Sequence, residues 1–421
     1  MKLKPKGNTL SWGALLACLS MVASAAETDV VPQQKEKNYA EKADQEIQEF
    51  HWNQAIQTYR DELAKNNKNA DAWRGIGRIL RFEGHLEESR QAYEKAAALE
   101  PEDPNAALGI ANTYRLNHDF DQAKINYAAA QQHWPKDDEV KQAAYDFARD
   151  TNPRIFGSYE RDLAFRTTTY GAGTPLFSRE DIQFEHVNDE SLGVYVRKDE
   201  KATYRHYFAL NNFLEFRYRR SNYSYSIPIT DFSAVDWFDE YRIRYSYPIT
   251  PEQVGSLTFT YRPTTLKTTQ QTYNSTKLEM ELHSQWTPRF ATLVGAGALR
   301  DLNDNPITTS DLRTTSLVKA GVEYMLTQKM QVAATYITNP DLDNSIHSKS
   351  LIFLNYQWRG DLSTIFRYRY DDYKSGINQR IASLLFRYTP NSHIFSEFGV
   401  LTASRGGRSG VYPELTLVYK F

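Results

Sequence analysis

At Asp150-Thr151-Asn152-Pro153 the apolar residues of this chain stop recurring at helical spacing and begin to alternate with polar ones. A helix returns side chains to one face every third or fourth residue, a strand every second, so the switch divides the chain into a helical half and a half built of strands. Downstream, Leu214, Phe216 and Tyr218 share one face and Glu215, Arg217 and Arg219 the other. Tyr241, Ile243, Tyr245 and Tyr247 alternate with Arg242, Arg244 and Ser246, and Leu278, Met280 and Leu282 with Lys277, Glu279, Glu281 and His283. Phe366, Tyr368 and Tyr370 alternate with Arg367 and Arg369. The last strand keeps the pattern to its end: Leu415, Leu417, Tyr419 and Phe421 point one way, Glu414, Thr416, Val418 and Lys420 the other. No helical pattern interrupts this half to cover a sheet.

Joint lengths separate a soluble sandwich from a closed barrel in lipid. Tight connections stand at Thr250-Pro251-Glu252, Thr287-Pro288-Arg289, Thr327-Gln328-Lys329, Arg359-Gly360-Asp361 and Thr389-Pro390-Asn391, and longer polar stretches at 263–276, 301–312, 339–347, 371–377 and 403–410. Short and long joints alternate, as periplasmic turns and outer loops do in bacterial barrels. Counting back from Phe421 places strands near 411–421, 393–402, 378–388, 362–371, 348–358, 330–338, 313–326, 290–300, 276–287, 255–263 and 239–248. Five more fall near 212–226, 202–210, 191–198, 178–188 and 155–168. The expectation is a transmembrane antiparallel β-barrel over 155–421 with sixteen strands, fourteen being the alternative. The 28 Tyr and 21 Phe suit aromatic girdles at lipid interfaces.

The polar face then lines the lumen. Glu215, Arg217, Arg219, Arg242, Arg244, Arg262, Glu279, Glu281, Arg367, Arg369 and Arg387 all fall on it. Facing lipid, each arginine would cost about 2–4 kcal/mol near the midplane and each glutamate somewhat less. Arg217, Arg219, Arg242 and Arg244 lie on consecutive strands and predict one basic patch. It is either part of an ion-pair network with Glu215 and neighbouring carboxylates that stiffens the wall, or a pathway for an anionic or polar substrate.

Residues 1–25 read as a secretory signal: Lys2, Lys4 and Lys6, an apolar run from Leu10 to Ala23, and Ala23-Ser24-Ala25 before the cleavage point. Leu15-Leu16-Ala17-Cys18 has the form of a lipobox, but the apolar run continues past Cys18, which favours ordinary cleavage over lipidation. Cys18 is the sole cysteine, so the mature chain relies on no disulfide. With 50 basic against 52 acidic residues there is no bulk field to bind nucleic acid. Residues 26–38 read as a disordered linker.

The helical half repeats. Tyr59, Tyr93 and Tyr127 are 34 residues apart, as are Ala55, Ser89 and Ala123, and Pro101 and Pro135. One unit carries Trp73, Ile76-Gly77, Leu80, Gly84, Ser89, Tyr93, Ala96 and Pro101; the next carries Ala107, Ile110-Ala111, Tyr114, Ala123, Tyr127, Ala130 and Pro135. These positions resemble the tetratricopeptide (TPR) repeat, in which small residues let two helices cross and proline ends the second. The resemblance covers residues 39–150; the first unit is degenerate before Ala55, and 138–150 reads as a closing helix. A short α-solenoid of this kind binds partners on the concave face of its first helices. Arg74, Arg78, Arg81, Asn112 and Arg115 are the candidates there, the three arginines on one helical stripe suited to an acidic partner.

Catalysis finds no support. His186, His206, His283, His347 and His393 are scattered, and only His347-Ser348 brings histidine and serine together. There is no nucleophile elbow, metal-ligand spacing or glycine-rich phosphate loop, so no catalytic residue, metal or cofactor is expected. Gly406-Gly407 needs only a turn.

Together the two halves resemble the bacterial TPR-plus-barrel porins that export poly-N-acetylglucosamine or cellulose, and the barrel is similar in size to the YaiO-type outer-membrane family. Leu417, Tyr419 and Phe421 look like the C-terminal signal by which the barrel assembly machinery recognises outer-membrane proteins. The resemblance implies an outer-membrane conduit for exopolysaccharide, its TPR half in the periplasm meeting a protein partner or the polymer. The surface-lipoprotein assembly barrels share the same order of domains and remain the alternative.

Overall fold

The computed structural model describes residues 38–162, 165–191, 194–226, 234–302, 312–340, 346–376, 378–390 and 393–420. The leader at 1–25, with Cys18, nearly all of the 26–38 linker, and Phe421 lie outside them. The described residues form seven helices and then a closed barrel of sixteen strands.

The helices are α1 (Tyr39–Gln48), α2 (Trp52–Lys65), α3 (Ala70–Glu83), α4 (Leu86–Leu99), α5 (Pro104–Leu116), α6 (Phe120–His133) and α7 (Asp138–Thr151). The 34-residue pattern becomes three antiparallel pairs and a closing helix; even the degenerate first unit forms a full pair, with Ala43, Ala55, Ile56 and Tyr59 buried together. Asn69, Asp103, Asp119 and Asp137 cap α3, α5, α6 and α7 by accepting backbone N–H groups. Each such cap is worth about 1 kcal/mol. Pro101 and Pro135 stand two residues past the ends of α4 and α6. Glycine lets the helices approach: a Cβ on Gly75 would lie 2.2 Å from the ring of Tyr59, and one on Gly109 2.4 Å from that of Tyr93.

The first eight strands are β1 (Arg154–Arg161), β2 (Phe165–Phe177), β3 (Glu180–Ser191), β4 (Tyr195–Ala209), β5 (Asn212–Tyr225), β6 (Val235–Thr250), β7 (Gln253–Leu266) and β8 (Thr272–Thr287). The rest are β9 (Phe290–Leu302), β10 (Leu312–Thr327), β11 (Met330–Thr338), β12 (Ile346–Arg359), β13 (Leu362–Tyr373), β14 (Gln379–Tyr388), β15 (Ile394–Arg405) and β16 (Arg408–Lys420). Every neighbour is antiparallel, and β1 closes on β16 from Arg154↔Lys420 to Glu160↔Glu414. Phe216, Ile243, Met280 and Leu417 stand 43%, 43%, 56% and 50% exposed on the outside, the oily band that the alternation predicts. Trp286 and Trp358, each just before a short turn, face outward and donate their indole N–H to Thr292 and Thr364. That is the placement of an interfacial girdle.

The count of sixteen agrees with the sequence, but two errors in it cancel. The segment 155–168 is not one strand: β1 ends at Arg161, β2 begins at Phe165 and pairs back on it, and Asp162 accepts from the amide of Phe165. Conversely, the two strands expected near 191–198 and 202–210 are replaced by a single one, β4 (Tyr195–Ala209), running straight through Lys198-Asp199-Glu200-Lys201. Four consecutive charges imitate a turn, yet Asp199 is 1% exposed and held by lumen arginines. The stretch 403–410 is not a long loop either. Gly406 and Gly407 adopt φ +55° and +82° and make a two-residue hairpin, as positive φ at both central residues requires.

The solenoid stands on the short-turn end of the barrel, touching it through the loop inside each helix pair. Residues 50, 84 and 118, spaced by the repeat, each adopt positive φ (63°, 85° and 55°). Only one is glycine, though the left-handed region costs other residues about 1–2 kcal/mol. The two non-glycine side chains touch the barrel: Arg289 lies 4.7 Å over the Phe50 ring, and His118 stacks on Tyr207 at 3.8 Å. Gly84 sits against Leu210. Around these pegs, Arg289 donates to the carbonyl of Glu49 at the negative end of α1 (3.0 Å) and His85 meets Glu252 at 3.4 Å. Arg179 pairs with Asp119 at 3.2 Å, and Ser178 accepts from the amide of Asp121 at 3.1 Å. Gln328, in the β10–β11 turn, donates to the carbonyl of Ile47 at 3.3 Å, so the repeats follow the barrel turns in reverse order, from β10–β11 to β2–β3.

Candidate functional site

Inward residues of most of the strands line a cavity of about 1360 Å³ inside the barrel, reaching from mid-strand to the end away from the solenoid. Of the residues the sequence puts in the lumen, Arg219, Arg242, Arg244, Arg262, Glu279, Glu281 and Arg369 line it. Glu215, Arg217, Arg367 and Arg387 lie nearer the short turns, on the same inner face.

Most of these charges are paired around the wall. Arg219 meets Asp199 at 2.8 Å, and Asp199 also accepts from Ser221 (2.6 Å) and meets Arg197 at 3.3 Å. Arg262 reaches Asp301 at 3.3 Å, Lys277 reaches Glu279 at 3.1 Å, and Arg369 reaches Asp371 at 3.1 Å. Glu281 is shared by Lys319 (2.6 Å) and Arg244 (3.9 Å). Glu215 accepts from Arg205 and stands 3.6 Å from Arg217. Arg367 binds Glu414 and Glu397, and Arg387 binds Glu397 at 3.0 Å. Phe238 is clamped between the guanidiniums of Arg219 and Arg262, 4.9 and 5.0 Å from its ring. The ion-pair network is therefore present, and the cavity lies within it.

Sequence reasoning missed several partners, among them Asp199, Asp301, Lys319 and Glu397. The signal for Asp199, Lys319 and Glu397 is parity: each lies an even number of residues from an inward charge on its own strand or faces one across the register. It also missed an apolar stripe inside. Leu299, Leu317, Ile365, Leu385 and Leu401 face inward and are no more than 2% exposed. Long arginine and lysine stems can cover such residues.

On the solenoid, the arginine stripe is occupied by the protein itself. Arg78 meets Asp44 at 2.7 Å and Arg115 meets Asp150 at 2.9 Å, each pair joining successive first helices. Arg74 binds Asp71 and Asp103, and Arg81 lies over the ring of Phe82 at 5.4 Å. Asn112 accepts from the Tyr127 hydroxyl at 2.8 Å. Asn112 and Arg115 also line a concave groove of about 440 Å³ between α5 and α7, with Asp138, Glu139 and Asp146.

His347 and Ser348 do not form a pair: consecutive strand residues point to opposite faces, and His347 is exposed while Ser348 is buried. Among the described residues no group of three metal-ligating side chains is assembled. Leu417 and Tyr419 face outward in the final strand.

Burial in the docked rim, together with Arg179 and Arg205, pushes the His118 imidazole down to about 4 from its usual 6.5. Undocked, it takes a proton as pH falls through 6.5; docked, it resists until about 4. Docking is therefore at full strength above pH 6.5 and weakens on acidification, by on the order of 1–2 kcal/mol at pH 5. Opening at the short turns, read by hydrogen exchange corrected for the intrinsic pH dependence of amide exchange, should rise between pH 7 and 5. His118→Gly should remove that rise while loosening the rim at both pH values; an unchanged pH response in this variant would remove His118 from the contact's chemistry.

A closed antiparallel barrel with an oily outside and a charged inside is the architecture of an outer-membrane β-barrel. Helices of TPR pattern lead into it, so the chain is a TPR-plus-barrel protein. Comparison with family models and with curated proteins returns no match. Among solved structures it is similar to an Arabidopsis OM64 TPR domain (17% identity, 26% of this chain and 90% of that one, TM-score 0.24). It is similar also to SycD, a type III secretion translocator chaperone of Yersinia enterocolitica (14% identity, 26% and 88%, TM-score 0.25). A third likeness is PcrH in complex with the chaperone binding region of PopD (16% identity, 28% and 91%, TM-score 0.25). At these scores the likenesses add nothing to the assignment, which stands on the repeat and its packing.

Proposed function

We propose that the chain is a passive outer-membrane conduit for an exopolysaccharide. The solenoid lies in the periplasm on the short-turn rim, where it recruits a synthase, a modifying enzyme or the polymer, and the barrel conducts the polymer outward. The observation that carries this reading is the charged cavity of about 1360 Å³ inside a barrel whose opposite rim bears the TPR half. The secretory signal at 1–25 and the terminal Leu417, Tyr419 and Phe421 fit export and assembly into that membrane. The barrel has no catalytic residue, metal or cofactor in this reading; synthesis at the inner membrane supplies the push.

Replacing Arg217, Arg219, Arg242 and Arg244 together with serine is expected to change single-channel conductance and ion selectivity and to lower export. Unchanged export with unchanged conductance would remove the patch from the mechanism. The surface-lipoprotein alternative predicts a different loss on deletion: specific lipoproteins vanish from the surface while the matrix polysaccharide stays.

A further inference from the structure

The four arginines of the basic patch have unequal surroundings. The register of β5 and β6 sets Glu215 opposite Arg244, Arg217 opposite Arg242, and Arg219 opposite Glu240. The outer two rows match opposite charges, and the middle row matches like ones. Followed sideways, that row continues with Thr203 on β4 facing Arg217, Thr260 on β7 facing Arg242, and Lys277 on β8 facing Thr260. Three cations and two hydroxyls cross five strands without a carboxylate among them. Directly opposed residues have Cβ atoms about 4.5–5.5 Å apart, and like charges there destabilise the pair.

The nearby carboxylates are shared, and among the described residues only Glu215 meets the opposed arginines, at Arg217. Glu215 is bound by Arg205 and only 3.6 Å from Arg217; Glu281 serves Lys319 and Arg244; Glu279 serves Lys277. Among the described residues Arg242 has no carboxylate within 4 Å, not even Glu240 two residues back on the same face. Its side chain lines the cavity, as does Thr260, and its buried Nε, like those of Arg219 and Arg244, has no hydrogen-bond partner.

We propose that Arg217 and Arg242, flanked by Thr203 and Thr260, form a subsite for an acidic group carried by a polysaccharide in transit: a carboxylate, sulfate or phosphate. This deepens the conduit reading and rests on it. Two opposed guanidiniums present planar forks to one anion and lose their mutual repulsion when it is bound. A neutral glucan would leave that repulsion in place, so the transported class is an acidic one. A free inorganic anion has the same chemistry and is separated from the polymer by the test.

The full-length protein is placed in planar bilayers under a potassium chloride gradient. Current is then challenged with inorganic sulfate, with an oligogalacturonate, and with a neutral maltodextrin of the same length. The expected result is anion preference, block by oligogalacturonate and none by maltodextrin. The double variant R217Q/R242Q should weaken that block by about tenfold or more, R217K/R242K should keep most of it, and R359Q at a short turn should leave it unchanged. Heat-modifiable migration checks that each variant is folded. Equal block of wild type and R217Q/R242Q overturns the subsite and leaves the conduit standing; sulfate blocking as well as oligogalacturonate overturns the polymer assignment. If the barrel passes no current, calorimetric titration with oligogalacturonate in detergent decides. Binding lost in R217Q/R242Q upholds the subsite while the conduit falls, and no binding by the wild type overturns the subsite.

Discussion

Asp199→Ala is expected to be the most damaging single change in the barrel wall, lowering unfolding stability by about 3–5 kcal/mol, the range for breaking a buried ion pair by removing one partner. Asp199 is 1% exposed and holds two guanidiniums, Arg197 and Arg219, besides the Ser221 hydroxyl. Its loss leaves both cations without that carboxylate in a low-dielectric wall. Asp199→Asn keeps the shape and an acceptor and should cost less. Removing Arg219 together with Asp199 should recover part of the deficit, since one of the stranded charges goes with it. Urea unfolding in vesicles, followed by tryptophan fluorescence, gives the numbers. A cost below about 1 kcal/mol would mean that lumen water solvates these arginines and that the network contributes little rigidity.

Gly109→Ala should destabilise the solenoid although alanine is the better helix former by about 1 kcal/mol. The added Cβ would lie 2.4 Å from the ring of Tyr93, which is 4% exposed and packed from both sides. Overpacking of this kind costs about 1–3 kcal/mol, and valine should cost more. Gly77→Ala meets the same ring at 3.0 Å and should be milder. Thermal melts read by helical circular dichroism rank the variants, and a Gly109→Ala protein as stable as wild type would show that Tyr93 swings aside freely.

The sequence carried the architecture because its two periods are physical consequences of the two geometries. Tyr59, Tyr93 and Tyr127 mark the repeat since each fills one identical gap; Phe216, Ile243 and Met280 mark the outer face since lipid tolerates little else. The lumen charges were legible for the same reason. What stayed hidden depends on pairing between strands. Leu385 and Leu401 sit inward in stretches apolar on both faces, where alternation says nothing. No glycine or proline marks the break between β1 and β2, while the charged run 198–201 looks like a turn. The contrast between Arg242 and its neighbours emerges only from the register of β5 against β6. The fastening of the solenoid was equally invisible, since Phe50 and His118 in a left-handed turn have no local reason to be there.

Those three points of attachment, one per repeat, make the helical half a collar bolted to the mouth of the tube rather than a lure on a tether. It cannot swing aside as a door without releasing several bolts at once. Its length is tied to the circumference below: an extra unit inserted between two others would push every later bolt off its seat.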